Sequence, residues 1–411
     1  MADRLGWATS VDRSSSGACG VREESASPLV EPAAELSRDE VARYSRHLII
    51  PNVGTTGQKR LKNARVLVIG AGGLGSPTLM YLAAAGVGTI GIVDFDVVDE
   101  SNLQRQVIHG TADVGRSKAQ SAREKIVEIN PHVDVRLHEF RLDASNAVEL
   151  FGEYDLILDG ADNFATRYLV NDAAVLAGRP YVWGSIYRFE GQVSLFWDAA
   201  PDGRGITLRD LYPEAPPPGT VPSCAEGGVL GVLCASIGSI MATEAIKLIT
   251  GIGESLLGRL MIYDALAMNY RTVRLSRDPD RVAVTELVDY DAFCGVTSVP
   301  EAERDATITP RELRALLDAG ADIAIVDVRE PVEWDIVHLP GATLIPKDRI
   351  LSGEALSELP QDKRIVLHCK TGVRSAEALA AVRKAGFADA VHLQGGVVAW
   401  ANQVDPSLPV Y

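Results

Sequence analysis

The 411-residue chain has no run rich in Lys and Arg, only five cysteines, and no uninterrupted hydrophobic stretch long enough to span a bilayer. Each shortage excludes a class of protein. A formal net charge of −15 and a pI near 5.0 give a repulsive mean field for nucleic acid, with no local basic patch to override it. Nucleic acid is therefore not an expected partner. The longest apolar stretch, Val229 to Ile249, is broken by Ser236, Ser239, Thr243, Glu244 and Lys247, which points to a buried helix rather than a membrane anchor. Cysteines at 19, 224, 234, 294 and 369 are odd in number and widely spaced. They fit free thiols in a reducing cytoplasm better than a disulfide framework. The segment from Met1 to about Pro32 is rich in Ser, Glu and Arg, lacks the apolar centre of a secretory signal, and reads as a disordered extension.

An apolar share of 46% supports globular folding, and the length exceeds what one core usually organises, so two domains are expected. A capping signature at Ser37-Arg-Asp-Glu40 opens a helix. The β-branched run Arg65 to Ile69, the glycines and a helical run from Ser76 to Ala85 then form a strand, a turn and a helix, and Gly91 to Asp94 closes the unit. Alternation continues with helix 118–129, strands 133–137 and 156–159, helix 165–177 and strand 180–184. This is an α/β, doubly wound, Rossmann-like pattern. Six prolines between Asp198 and Gly228 make regular structure improbable there, so a long mobile crossover is expected.

A smaller α/β domain follows, with helix 310–319, strands 323–328 and 364–367, helix 375–385 and strand 390–393. The expected division is an extension over 1–35, a first domain over 36–295, a linker over 296–306 and a second domain over 307–411. No internal repeat is visible.

The first chemical signal is Gly70-Ala-Gly-Gly-Leu-Gly75, with Gly70, Gly72, Gly73 and Gly75 on a strand-to-helix turn suited to phosphates. Asp94, 19 residues beyond Gly75, stands where a carboxylate accepts hydrogen bonds from ribose hydroxyls. To this point a nicotinamide dinucleotide fits equally well. Asn102, Arg105 and Lys118 change the balance, because a pair of cations suits a triphosphate whose bridging oxygen gains charge as pyrophosphate leaves. Asp162, in Asp159-Gly-Ala-Asp162-Asn163, lies past a strand's carboxyl end and suits magnesium; its plainer role is a helix cap.

The second signal is Cys369-Lys-Thr-Gly-Val-Arg374, between a strand and a helix. A thiol at a helix N-terminus meets converging N–H groups and partial positive charge, which stabilise a thiolate or a persulfide anion. Gly372 permits the tight loop and Arg374 adds positive charge.

Several motifs carry a family resemblance. Arg43-Tyr-Ser-Arg46, the Gly70–Gly75 loop, Asp94-Phe-Asp96, Ser101 to Gln106, Gly115-Arg-Ser-Lys118 and Asp162 to Arg167 resemble the adenylating domain shared by MoeB, ThiF and ubiquitin-activating enzymes. The likeness covers about residues 36 to 295. It implies ATP-dependent adenylation of the C-terminal Gly-Gly carboxylate of a ubiquitin-like sulfur carrier, with Asp94 on the ribose, Asn102, Arg105 and Lys118 on the phosphates, and Asp162 on magnesium. It also implies a homodimer in which Arg46 reaches the neighbouring subunit's triphosphate.

The cysteine loop, with Asp327 to Glu330, Glu333-Trp334, His338 to Gly341 and Gly395 to Trp400, resembles a rhodanese domain over about 307 to 411. That likeness implies persulfide transfer through Cys369 from thiosulfate or a cysteine desulfurase, with a carrier thiocarboxylate as product and molybdopterin synthesis as the default destination. His338 is expected to be structural. Cys224 matches a cysteine that joins the carrier transiently, although an apolar run beside it also permits a structural role. Cys234 and Cys294 are expected to be buried.

One departure stands out. Adenylating domains of this kind commonly carry two C-x-x-C pairs for zinc, whereas the corresponding regions here read Gly203 to Arg209 and Arg277 to Ala283, without cysteine. No zinc is expected, and packing or a dimer must hold residues 198–285. A carrier-docking protein without catalysis remains the alternative, with a NAD-dependent oxidoreductase behind it.

Overall fold

The computed structural model describes residues 27–32, 35–215, 228–294 and 306–411. The chain divides into two compact units, Met1–Val296 and Thr297–Tyr411.

The first unit is built on eight strands: β1 Arg65–Ile69, β2 Thr89–Val93, β3 Asp134–His138, β4 Leu156–Asp159, β5 Tyr181–Tyr187, β6 Glu190–Phe196, β7 Arg259–Asp264 and β8 Asn269–Arg274. Their order is β3-β2-β1-β4-β5-β6-β7-β8. The first five pair in parallel, and β5 through β8 pair antiparallel. Helices cover both faces of the parallel part, so its strands are apolar on both sides. Val66, Val68, Ile90 and Ile92 enter one core cluster, while Leu67, Ile69, Val93 and Ile157 enter the other. This alternation places β1 centrally, with β2 and β4 on either side, and opens the ligand crevice at their carboxyl ends.

Helix Gly75–Ala85 leaves the crevice and stops at Gly86, whose φ of +82° favours glycine. A Cβ at Gly86 would also lie 2.5 Å from the Tyr44 ring. Helix Gly231–Thr250 is long and apolar enough to cross a membrane by composition. It packs instead against helix Gly75–Ala85 and strands β5 and β6, burying Leu233, Cys234, Ile237, Met241 and Ala245.

Of the proline-rich stretch, read as a mobile crossover, residues 216–227 lie outside the described residues, and the part before them departs from expectation. Residues 201–203 form a 3₁₀ turn and Leu208–Leu211 a short helix, because the Asp210 carboxylate accepts the Thr207 N–H in a capping box. Arg281 completes this corner. Its guanidinium pairs with Asp198 and Asp210 and bonds Thr207 Oγ1, while Asp210 Oδ1 accepts the Asp278 N–H at 2.9 Å. An ionic hub thus ties together the two segments that lack zinc-binding cysteines. Arg281 is 8% exposed at its side chain and Asp210 fully buried, so removing one partner strands charge in the interior. Arg281→Ala should destabilise the first unit by about 3–5 kcal/mol, read as a lower urea midpoint at unchanged slope. An unshifted midpoint would show that packing alone holds the corner.

In the second unit β9 Thr307–Ile308, β10 Ile323–Asp327, β11 Ala342–Leu344, β12 Arg364–His368 and β13 Val391–Leu393 form a parallel sheet of order β11-β10-β12-β13-β9. Alternation again feeds two clusters: Val326, Ile365 and Leu367 face Ala378 and Val382, while Ile325 and Val366 face Leu313 and Trp400. Between strand β12 and helix Val373–Lys384, at the sheet's carboxyl edge, only residues 369–372 are left, so Arg374 of the cysteine motif already stands in the first turn of the helix.

Candidate active sites

In the first unit the glycine loop is shaped by contacts that tolerate no side chain. A Cβ at Gly75 would fall 1.9 Å from the Gly70 carbonyl oxygen, and one at Gly73 would fall 2.8 Å from Cys234 Sγ. Gly70 has φ +88°. At Gly72 the space is open, with only Gln106 Nε2 at 3.6 Å from that position. Packing therefore requires glycine at 73 and 75, and the loop backbone stays accessible where a phosphate needs its N–H groups.

Asp94, 8% exposed, fixes the loop from the β2 end. Its Oδ2 accepts the Ala71 N–H and its Oδ1 the Asp96 N–H, leaving one lone pair on each oxygen for a further donor. Burial pushes its carboxyl upward, against the pull of those bonds and of Lys118. Lys118 begins helix Lys118–Ile129, is nearly buried, and donates to Asp96 Oδ2 at 2.9 Å. Arg105 lies beside the glycines, its Cγ 3.7 Å from where a Gly73 Cβ would stand, and donates to the Ser101 carbonyl. Asn102 Oδ1 accepts the Asp99 N–H within a capped turn.

At the end of β4, Asp159 is fully buried, and burial pushes its carboxyl up to about 6. Its Oδ2 has no hydrogen-bond partner. Asp162 is exposed three residues later, while Asn163 caps helix Phe164–Leu176 by accepting the Thr166 N–H. The cap is thus Asn163, and the Asp162 carboxylate is left facing outward beside Asp159. An orphaned buried carboxylate oxygen next to an exposed carboxylate fits a divalent cation.

Arg46 is exposed on helix Ser45–Leu48, and among the described residues no hydrogen bond joins it to the glycine loop. His109 is a brace that sequence reasoning missed. It is buried, bonds the Ala71 carbonyl at 3.0 Å through Nε2 and Ser121 Oγ at 2.8 Å through Nδ1, and burial lowers its pKa. Cys234 is buried beneath the glycines, Cys294 is buried elsewhere, and Cys19 and Cys224 lie outside the described residues.

In the second unit Cys369 is 1% exposed at the end of β12. Its Sγ accepts the Gly372 N–H at 3.1 Å and the Ser375 hydroxyl at 3.6 Å. Gly372 caps helix Val373–Lys384 with φ +102°, so the sulfur faces the start of that helix, where anionic sulfur is favoured. The loop backbone is held from below, as the carbonyls of Cys369 and Lys370 accept N–H groups of Val397 and Val398. A Cβ at Gly396 would lie 2.4 Å from the Cys369 carbonyl oxygen, which explains a glycine there.

Arg374 does not point free charge into the loop. It forms a two-pronged pair with Glu333, at 2.6 and 2.7 Å, and is 8% exposed. Burial alone would raise the Glu333 pKa, but the Arg374 pair, the Glu330 N–H and the Tyr411 hydroxyl outweigh it and hold the carboxyl at about 2. Behind the cysteine, His368 is buried, and desolvation lowers it to about 4 against the pull of Asp327. His338 is exposed, stacks on Trp334 at 4.3 Å and bonds the Trp334 carbonyl.

Residues 44–284 match the ThiF family and residues 309–403 the rhodanese-like domain. The chain belongs to the ThiF family and carries a C-terminal rhodanese-like domain. It is 74% identical over 386 residues to a probable adenylyltransferase/sulfurtransferase MoeZ of Mycobacterium tuberculosis, covering 93% of this chain and 98% of that protein. It is 41% identical over 416 residues to the pig (Sus scrofa) adenylyltransferase and sulfurtransferase MOCS3, covering 94% and 90%. Among solved structures, Escherichia coli MccB aligns with this chain at a TM-score of 0.52 and 22% identity, covering 62% of this chain and 75% of that one, which is a likeness of fold.

Proposed function

We propose that this adenylyltransferase and sulfurtransferase activates the C-terminal Gly-Gly carboxylate of a ubiquitin-like sulfur carrier with ATP, then exchanges AMP for sulfur carried on Cys369. The observation that carries this reading is the pairing of two prepared sites on one chain: a phosphate-shaped glycine loop braced by Asp94, and a cysteine whose sulfur accepts the Gly372 N–H.

A carboxylate is a poor electrophile. In the first half-reaction a carrier carboxylate oxygen attacks the α-phosphorus of ATP and pyrophosphate leaves, with Arg105 and Lys118 offsetting the charge that gathers on it. Asp94 accepts the ribose hydroxyls, and the glycine loop and Asn102 hold the phosphates. Asp162 would hold magnesium, which when bound neutralises phosphate charge. Arg46 acts on the neighbouring subunit's triphosphate in a homodimer, a role compatible with its exposure.

In the second half-reaction the outer sulfur of a Cys369 persulfide attacks the acyl carbon and AMP departs, leaving carrier and enzyme joined by an acyl disulfide. The Cys224 thiolate attacks Cys369 Sγ and releases the thiocarboxylate, and a thiol reductant of the cytoplasm resets the enzyme disulfide. Thiosulfate or a cysteine desulfurase persulfide recharges Cys369.

Intact mass spectrometry of candidate Gly-Gly carriers, incubated with the enzyme, magnesium-ATP and thiosulfate, tests the sequence. The expected result is exchange of one carboxylate oxygen for sulfur, dependent on ATP. A carrier adenylate that never gains sulfur from any donor would refute the second half-reaction.

A further inference from the structure

The rhodanese-like unit brings Tyr411 to the cysteine loop from 78 residues beyond Glu333. Val404, Leu408 and Tyr411 pack against the core cluster of Leu313, Val366 and Trp400, which anchors the segment that delivers the phenol. Its hydroxyl is fully used. It accepts from Arg329 Nη1 at 2.7 Å and donates to Glu333 Oε1 at 2.7 Å. Because Arg329 occupies the acceptor side, the single phenolic hydrogen is directed at Glu333.

Arg329 is in turn immobile. It is fully buried, with Nε and Nη2 on the Asp327 carboxylate and Nη2 also on the Val337 carbonyl. Glu333 then has both oxygens filled: Oε1 by Tyr411 and Arg374, Oε2 by Arg374 and the Glu330 N–H. The result is an unbroken series, Asp327, Arg329, Tyr411, Glu333, Arg374, running from β10 to the last residue of the cysteine motif. The opposite end of the loop meets the same side chain, since Lys370 Nζ lies 4.6 Å from the centroid of the Tyr411 ring, within cation–π range.

We propose that Tyr411 is a positioning residue for sulfur transfer: its hydroxyl fixes Arg374 through Glu333, and its ring seats Lys370, so that both ends of the loop around Cys369 are held. The proposal rests on Cys369 as the persulfide carrier. Two roles within one side chain can be separated. The hydroxyl governs how rigidly the loop N–H groups converge on sulfur. The ring governs where the Lys370 ammonium meets an incoming anionic donor.

The test uses the full-length enzyme with thiosulfate as donor and cyanide as acceptor. Tyr411→Phe keeps the ring and should lower kcat about tenfold, with KM for thiosulfate within about twofold of wild type. Tyr411→Ala should lower kcat similarly and raise KM a further fivefold or so, an increase that the Phe variant rescues. In both, the pH profile of Cys369 alkylation by iodoacetamide should move to higher pH, because the thiolate loses converging donors. A purely structural role would reduce the folded fraction in thermal unfolding and leave KM and the alkylation profile of the folded enzyme unchanged. A folded Tyr411→Ala enzyme with wild-type kcat, KM and alkylation profile overturns the proposal while Cys369→Ala remains inactive. Activity persisting in Cys369→Ala would instead remove the reading on which the proposal rests.

Discussion

Cys369→Ala should produce an enzyme that activates its carrier but cannot sulfurate it. The loss expected in thiosulfate sulfurtransferase rate is on the order of 10⁴-fold or more, because the substitution removes the atom that accepts sulfur rather than one of several supporting groups. ATP–pyrophosphate exchange in the presence of carrier should persist, since the glycine loop and Asp94 belong to the other compact unit. The substitution is mild structurally. Cys369 leaves behind an alanine already compatible with the apolar cluster of Val328, Leu367 and Ala378, and only the bonds from Gly372 and Ser375 are lost. Thiocarboxylate formation from thiosulfate by this variant, detected by intact mass, would disprove the persulfide role.

Arg105→Ala should give the converse phenotype. The stem of the Arg105 side chain passes beside the glycine loop, and the charge it carries is needed most when pyrophosphate departs. Removing one such stabilising group commonly costs 10²–10³ in kcat, about 3–4 kcal/mol, and a loss in that range is expected in pyrophosphate exchange. Thiosulfate sulfurtransferase activity should remain at the wild-type level. The discriminating measurement is the ratio of the two activities on one preparation. If both fall together in a folded variant, the division of labour between the units is wrong.

The parallel core was legible because its signal is local. Strands flanked by helices read as continuous apolar runs, and helix Lys118–Ile129 begins after Ser117, a residue type suited to capping, whereas helix Phe164–Leu176 is capped by Asn163 rather than by the Asp162 that the sequence offered for that role. The antiparallel extension was not. Strand β8 is exposed along its whole length, so its residues carry no inward pattern, and its place is set by pairing with β7. The glycine loop and cysteine loop were likewise visible as contiguous motifs. What escaped were partners remote in sequence. Arg281 meets Asp198 across 83 positions and Tyr411 meets Arg329 across 82, and a single tyrosine or arginine announces nothing about a contact at that range. Arg374 was legible as a loop cation, but its neutralisation became apparent only with Glu333 set opposite it.

That neutralisation also bears on which anions the loop can prefer. A cradle whose arginine is already answered by a carboxylate offers its guest oriented N–H dipoles more than net positive charge. Dipoles of this kind suffice for the single negative charge of a resting persulfide. With Arg374 held by Glu333, the charge of a dianionic donor such as thiosulfate falls to the Lys370 ammonium at the other end of the loop, and the N–H dipoles around Cys369 answer only the one charge that stays behind on sulfur.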